Sequence, residues 1–455
     1  MSSIKKLFGT DGIRGRSNQF PMLPEVVVRV GQALGLMLRE EANDSKEIKV
    51  LIGKDTRLSG YMIEMALASG LNSAGVHVQL VGPLPTPGIG FLAQNMRADA
   101  GIVISASHNP YQDNGIKIFG SDGFKISKKQ EETIERLVSL ESMSEMLPPA
   151  EQVGRSKRIE DSTGRYVVFA KDSFPLSKDL TGVRIVLDTA NGASYKVARS
   201  VFEELGAEVI PLGNQPNGTN INFKCGALYP ETTAEAVTKY RADLGICLDG
   251  DADRVILVDE KGKIINGDKI LAICGIHLKE QGKLDKNTVV CTKMSNFGLF
   301  RFFEKNGINV EQTDVGDKYV VERMREGGFV LGGEQSGHII FLEHSTTGDG
   351  IVAALNVLAV MLQKSKKLSQ LSDLFETTPQ VMKNVKVKSK PPLEEILSFQ
   401  KELEFVEQEL DKEGRVIVRY SGTEALVRVL VEGPSLDKIE AYADRLGDCL
   451  KKELS

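Results

Sequence analysis

Four short segments carry side chains whose types and spacing could do chemistry. In Leu248-Asp249-Gly250-Asp251-Ala252-Asp253-Arg254 three carboxylates stand at alternate positions. They share one side of an extended or tightly looped segment, and Gly250 and Ala252 leave room for them to converge. At about 5 Å and an effective dielectric near 20, each pair repels by roughly 3 kcal/mol. A divalent cation removes that penalty, and an all-oxygen donor set selects Mg²⁺ or Mn²⁺ over zinc. Arg254 would face whatever anion the metal holds. The competing reading is a solvated acidic turn.

Ser105-Ala106-Ser107-His108-Asn109-Pro110 follows the apolar stretch 99–104. The carboxyl end of a buried strand is where α/β proteins place active sites, and small residues with Asn and Pro can hold the Ser107 hydroxyl exposed. Asn114-Gly115-Ile116-Lys117 reads as a turn that brings a lysine back towards the same loop. A hydrolase triad is the weaker reading, because G-x-S-x-G is absent. A Ser-rich turn capped by Asn109 also fits. Leu331-Gly332-Gly333-Glu334-Gln335-Ser336-Gly337-His338 mixes donors and acceptors on a backbone that can approach a ligand, as sugar hydroxyls require; polar Gly-rich turns without a ligand look the same. Arg419-Tyr420-Ser421-Gly422-Thr423-Glu424, with Arg428 beyond it, offers two guanidiniums, two hydroxyls and loop amides. These can enclose a phosphate, or form a plain β-turn with surface arginines. It is not a P-loop, since GxxxxGK[ST] is absent.

The elements that must position these groups recur. Three times a short apolar strand, a helix and Gly-X-X-Val opening a second strand follow one another. The strands begin near 49, 183 and 288; the helices are expected over 60–74, 192–205 and 297–306; the glycines are Gly75, Gly206 and Gly307. Such alternation predicts α/β domains whose strands are covered on both faces. After residue 365 the order becomes β-α-β-β-α, with strands near 381–387, 414–420 and 426–432 and helices over 393–411 and 435–452. The predicted architecture is three related α/β domains, 1–150, 151–256 and 257–370, plus a smaller α+β domain, 371–455. Softer joints fall at Pro148-Pro149 and at a hairpin-like Asp259-Glu260-Lys261-Gly262-Lys263.

The chain has 455 residues, 41% hydrophobic and 26% charged, enough for several cores. Lys and Arg number 57 against 62 Asp and Glu, a net charge of −5, which argues against a surface built for nucleic acid. No apolar run reaches the roughly 18 residues that span a bilayer, and the opening residues lack a secretory apolar region. Cys225, Cys247, Cys274, Cys291 and Cys449 are widely spaced without CxxC. Disulfides and a thiolate zinc site are therefore not expected, a reducing cytoplasm fits, and Cys247, Cys274 and Cys291 read as core residues.

The four motifs in this order, over nearly the whole chain, resemble the α-D-phosphohexomutase superfamily, whose four domains surround a central cleft. Phe8-Gly9-Thr10-Asp11-Gly12-Ile13-Arg14-Gly15, the loop 333–338, Val315-Gly316-Asp317-Lys318-Tyr319-Val320 and Thr346-Thr347-Gly348-Asp349-Gly350 are similar to its bacterial branch acting on glucosamine phosphates. That branch makes a precursor of UDP-N-acetylglucosamine and the cell wall. The resemblance implies that Ser107 is phosphorylated and that Asp249, Asp251 and Asp253 bind one Mg²⁺ together with an oxygen of that group. It implies that Arg14, His108 and Lys117 stabilise the transferring phosphoryl group, Lys117 and His338 being candidates for proton transfer. Glu334 and Ser336 would hold sugar hydroxyls, and Arg419, Ser421, Gly422, Thr423 and Arg428 the phosphate that is not reacting. A sugar 1,6-bisphosphate would serve as activator.

One departure is Ala425, where the superfamily commonly has Pro after the Glu of this loop; the turn is loosened with no ligand lost. The rivals are a phosphomannomutase or phosphoglucomutase with the same mechanism, a metal-dependent phosphatase, and a non-catalytic phosphosugar sensor. The expected partner is a small phosphosugar, with neither nucleic acid nor membrane; the oligomeric state stays open, a homodimer among the options.

Overall fold

A computed structural model describes residues 6–9, 11–42, 47–421 and 425–454. The chain forms two compact units, one of residues 1–292 with 311–372, the other of 293–310 with 373–455.

In the first unit, a seven-stranded sheet has Lys49–Lys54 parallel to both His77–Pro83 and Ala100–Ile104, and Ala100–Ile104 antiparallel to Asp113–Gly120. Helices Pro24–Glu41, Gly60–Ser73 and Lys128–Ser139 pack together, while Thr86–Asn95 packs on the central strands. Ser127 starts Lys128–Ser139 with a reciprocal cap to Gln130. Ile52, Ile102, Ile104 and Ile116 join Val27, Leu34 and Leu67 in one core. A five-stranded sheet follows, in which Leu244–Leu248 lies between parallel Arg184–Asp188 and antiparallel Val255–Asp259. Asp259 accepts from the amides of Lys261 and Lys263, closing the expected hairpin to Ile264–Ile265. Further on, Thr288–Thr292 runs parallel to Leu331–Gly333, which turns antiparallel into Ile339–Phe341.

The second unit is a three-stranded antiparallel sheet, Gln380–Lys386, Leu426–Glu432 and Arg415–Tyr420, with helices Leu397–Leu410 and Leu436–Leu454. It also holds helix Phe297–Lys305, the helix of the third copy of the repeat. Its cap Asn296 donates to Glu432 at 2.9 Å, and Arg415 pairs with the same carboxylate.

The repeated glycines have a common cause. Gly75, Gly206 and Gly307 have φ of +82°, +96° and +61°, each reversing the chain between a helix and the next strand. The first and third helices form as expected, but the second begins only at Val197. Ala190 and Asn191 take positive φ, and the backbone of Gly192 lies against Gly250, where an added Cβ would stand 2.3 Å from the Gly250 carbonyl oxygen. Close approach to the aspartate loop displaces the first turn of the expected helix. Cys247, Cys274 and Cys291 are buried, and burial pushes the Cys274 thiol up to about 12.

Candidate functional site

Strand Ala100–Ile104 delivers Ser107, and the chain returns through Asp113–Gly120, which carries Lys117. The reversal occurs earlier than expected: Asp113 donates its amide to Pro110, and Asn114 and Gly115 already belong to the strand. Ser107 has φ +50° and is 1% exposed, so its hydroxyl is buried rather than presented to solvent. The cause is a cage around the loop. Arg57, fully buried, donates to the carbonyls of Ser107 at 2.8 Å, Asn109 at 2.9 Å and Asp113 at 3.1 Å, and pairs with Asp55 at 2.7 Å. Asn222 donates to the Ser107 and Asn109 carbonyls at 2.8 and 3.1 Å. Ser105 Oγ accepts from the Ser107 amide at 2.9 Å and donates to Asp55 at 2.6 Å.

The Asp loop joins Leu244–Leu248 to Val255–Asp259 and meets this cage. Ser107 Oγ donates to Asp249 Oδ2 at 2.7 Å. One oxygen each from Asp249, Asp251 and Asp253 lie within 4.8 Å of one another, all three residues buried. Lys117 Nζ stands 3.0 Å from Asp251, 3.2 Å from Asp253 and 3.5 Å from Asp11. Thr86 donates to Asp251 at 2.6 Å. Gly250 makes the approach possible: a Cβ there would lie 2.6 Å from the Ser107 carbonyl oxygen.

Burial and the like charges of Asp253 and Asp251 push the Asp249 carboxyl well above its usual range. Burial opposes ionisation of Asp253 too, but Lys117 and His338 hold it well below. Burial would lower Lys117; Asp11, Asp251 and Asp253 outweigh it and keep the ammonium charged. Burial, then Arg254 and Arg14, lower His108 to about 4, so its ring is neutral at neutral pH. A divalent cation fits this set. Among the described residues Asp251 Oδ1 is buried with no hydrogen-bond partner, and Asp253 Oδ1 has only His338 at 3.7 Å and Arg254 at 3.9 Å.

Arg14 donates to the Ala106 carbonyl at 3.3 Å and pairs with Asp11. The Arg254 amide donates to Asp249 at 3.2 Å. His338 is 1% exposed; burial opposes its charge, but Asp253, Asp317 and Glu334 outweigh it and raise its pKa. In the neutral form the Gly348 amide donates to Nε2 at 3.0 Å, leaving the ring proton on Nδ1, facing Asp253. Glu334 accepts from the Gly316 amide at 3.1 Å and from Ser336 Oγ at 3.2 Å, so these two are bound to each other. Gln335 donates to Asp268 at 3.1 Å. In the second unit, Arg419 and Arg428 are cross-strand partners, and Lys390 donates to the Ser421 carbonyl at 2.6 Å. Gly422 and Thr423 lie outside the described residues.

The first unit thus gathers Arg14, Ser107, His108, Lys117, the three aspartates, Arg254 and His338. Asp55, Arg57, Thr86 and Asn222 lie outside the motifs read from the sequence, and Asp11 and Asp317 lie within quoted segments without a role of their own. A signal existed for two of them: Asp55 and Arg57 follow strand Lys49–Lys54 at its carboxyl end, the same edge as Ser107.

Four segments match the phosphoglucomutase/phosphomannomutase family: its alpha/beta/alpha domain I over residues 5–144, domain II over 165–262, domain III over 266–378 and the C-terminal domain over 382–448. The phosphoglucosamine mutase of Bdellovibrio bacteriovorus is 62% identical, covering 100% of both chains. That of Myxococcus xanthus is 55% identical over 99% of this chain and 98% of the relative. A Burkholderia thailandensis phosphoglucomutase/phosphomannomutase family protein has the same fold, with TM-score 0.80 at 23% identity over 99% of this chain and 98% of the other. So does an Aspergillus fumigatus N-acetylphosphoglucosamine mutase solved with GlcNAc-6P and magnesium, with TM-score 0.67 at 18% identity over 99% and 96%.

Proposed function

The chain belongs to the phosphoglucosamine mutases of the phosphoglucomutase/phosphomannomutase family, and from that premise we propose that it interconverts glucosamine 6-phosphate and glucosamine 1-phosphate through phosphorylated Ser107 and a 1,6-bisphosphate. Three α/β domains and a smaller C-terminal domain carry the reaction, an isomerisation. The observation that supports the mechanism best is the 2.7 Å hydrogen bond from Ser107 Oγ to Asp249, which sets a phosphorylatable hydroxyl against a buried carboxylate cluster with Lys117 beside it.

The bond between Ser107 Oγ and phosphorus breaks as one forms to the free sugar hydroxyl, whose proton passes to neutral His338; Lys117, held as an ammonium, steadies the charge and can only donate a proton. The bisphosphate then turns round. Ser107 Oγ takes the phosphoryl group from the other position, and the proton returns to the sugar oxygen left behind. No phosphate is consumed. Such transfer needs positioning and charge stabilisation above all. Arg14 and Arg254 supply positive charge; His108, being neutral, supplies a hydrogen bond. Glu334 and Ser336 orient sugar hydroxyls. Arg419, Ser421, Gly422, Thr423 and Arg428 hold the idle phosphate. Asp249, Asp251 and Asp253, with an oxygen on Ser107, would hold one Mg²⁺, whose charge offsets that of the phosphoryl group. A sugar 1,6-bisphosphate would charge Ser107 first, and the setting is the cytoplasm.

Phosphorus NMR of the purified chain with Mg²⁺ and a trace of sugar 1,6-bisphosphate tests the reading. Glucosamine 6-phosphate should give the 1-phosphate faster than glucose 6-phosphate does. Preference for glucose 6-phosphate would move the substrate to the neighbouring branch; free phosphate alone would make the protein a phosphatase.

A further inference from the structure

Lys125 lies outside every motif considered above, in the segment after strand Asp113–Gly120. Its ammonium stands 2.6 Å from Asp11 Oδ1 and 2.6 Å from Asp317 Oδ2. Each carboxylate also faces the site, Asp11 through its other oxygen and Asp317 through the same Oδ2. Asp11 pairs with Arg14 through Oδ2 and lies 3.5 Å from Lys117. Asp317, the first residue of helix Asp317–Gly327, lies 3.8 Å from His338 Nε2. One cation therefore joins the segment bearing Arg14 to the helix that faces His338.

We propose that Lys125 is a positioning residue for phosphoryl transfer, holding Asp11 and Asp317 on one ammonium and so setting Arg14 and Lys117 at a fixed distance from His338. The side chains of Lys125, Asp11 and Asp317 are 16%, 26% and 15% exposed, too sheltered for water to replace the bridge fully. Burial works against the charge on Lys125, but the two carboxylates outweigh it and keep the ammonium formed. Without that ammonium the carboxylates repel each other. Asp11 is drawn further onto Lys117 and Asp317 onto His338, and both proton-transfer candidates shift from where the sugar hydroxyl must meet them. Lys125 itself touches neither Ser107 nor the aspartate loop.

The inference rests on the reading of Ser107 as the phosphoryl carrier. The test measures kcat, KM for glucosamine 6-phosphate and the melting temperature of the full chain, of Lys125→Met, and of Lys125→Met combined with Asp317→Asn. In Lys125→Met, kcat should fall about thirtyfold or more while KM changes less than about threefold, as expected when bound groups are misplaced. Adding Asp317→Asn removes one of the repelling charges and should restore several-fold in kcat without raising the melting temperature in proportion. An unchanged kcat in Lys125→Met, a change in KM alone, or a double variant no faster than the single one overturns the inference. An unsubstituted chain that isomerises no sugar phosphate, or a Ser107→Ala chain that still does, overturns the reading and the inference together.

Discussion

The guanidinium of Arg57 donates to the carbonyl of Ser107 at 2.8 Å, fully buried, 50 residues back along the chain. The same group serves Asn109, Pro110 and Asp113 and pairs with Asp55. The positive φ of Ser107 is thus held by a charge that never meets solvent.

Replacing Arg57 by Met should strand those carbonyls and leave Asp55 unpaired, at a cost of about 3–5 kcal/mol. Hydrogen exchange should show the loss of protection concentrated in residues 104–116. Uniform loss across the chain would mean that the cage has no local role.

Converged carboxylates oppose folding until something neutralises them. Asp249 has its carboxyl pushed up by burial and by Asp253 and Asp251, so its ionisation weakens the metal-free fold as pH rises. Asp249→Asn should therefore melt no lower than the unsubstituted chain in EDTA at neutral pH. Mg²⁺ at a hundred times its Kd should stabilise the unsubstituted chain by about 2.7 kcal/mol and the variant far less. Equal stabilisation of both in calorimetry would place the cation elsewhere.

Asp349 caps helix Gly350–Lys364 and accepts from Tyr166 at 2.9 Å. Burial raises its carboxyl from 3.8 to about 6. The fold prefers the protonated form, so the associated stability is complete below the unfolded value and is lost as pH rises through about 6. Asn keeps the cap acceptor. Asp349→Asn should melt above the unsubstituted chain at pH near 7.5, by on the order of 3 kcal/mol, with the gap shrinking towards pH near 4.5. A gap indifferent to pH would assign the titration to another group.

Gly250→Ala puts a methyl 2.6 Å from the Ser107 carbonyl oxygen, where only backbone can give way. The two loops should separate, and kcat should fall about a hundredfold. Activity within a few-fold of the unsubstituted chain would show that the loops tolerate that displacement.

The aspartates and Ser107 were legible because each motif states its chemistry locally: alternate carboxylates with small residues between them, and a serine at a strand end. The strand–helix–Gly repeat was legible because the left-handed glycines leave a mark at fixed spacing. Arg57 was marked only by its place past the end of strand Lys49–Lys54; its hold on the serine loop was not legible, since Lys54-Asp55-Thr56-Arg57 reads like any charged turn until the fold carries residues 105–113 over it. Lys125 and Asp317 share 192 residues of separation and no pattern. The expected helix over 192–205 lost its start to a contact with Gly250 that no local propensity encodes.

The hydrogen bond from Ser107 to Asp249 spans 142 residues, and this bears on how the protein comes into being. At about 5–20 residues per second, a ribosome needs roughly 7–28 s to go from one to the other. Arg57 and the strand that delivers Ser107 emerge first, so the nascent chain can form the serine loop early. Asn222 and all three aspartates are still to be made. Ser107 is therefore made before its carboxylate partners, and a ribosome stalled before residue 249 leaves that serine with no Asp249 for its hydroxyl to bond.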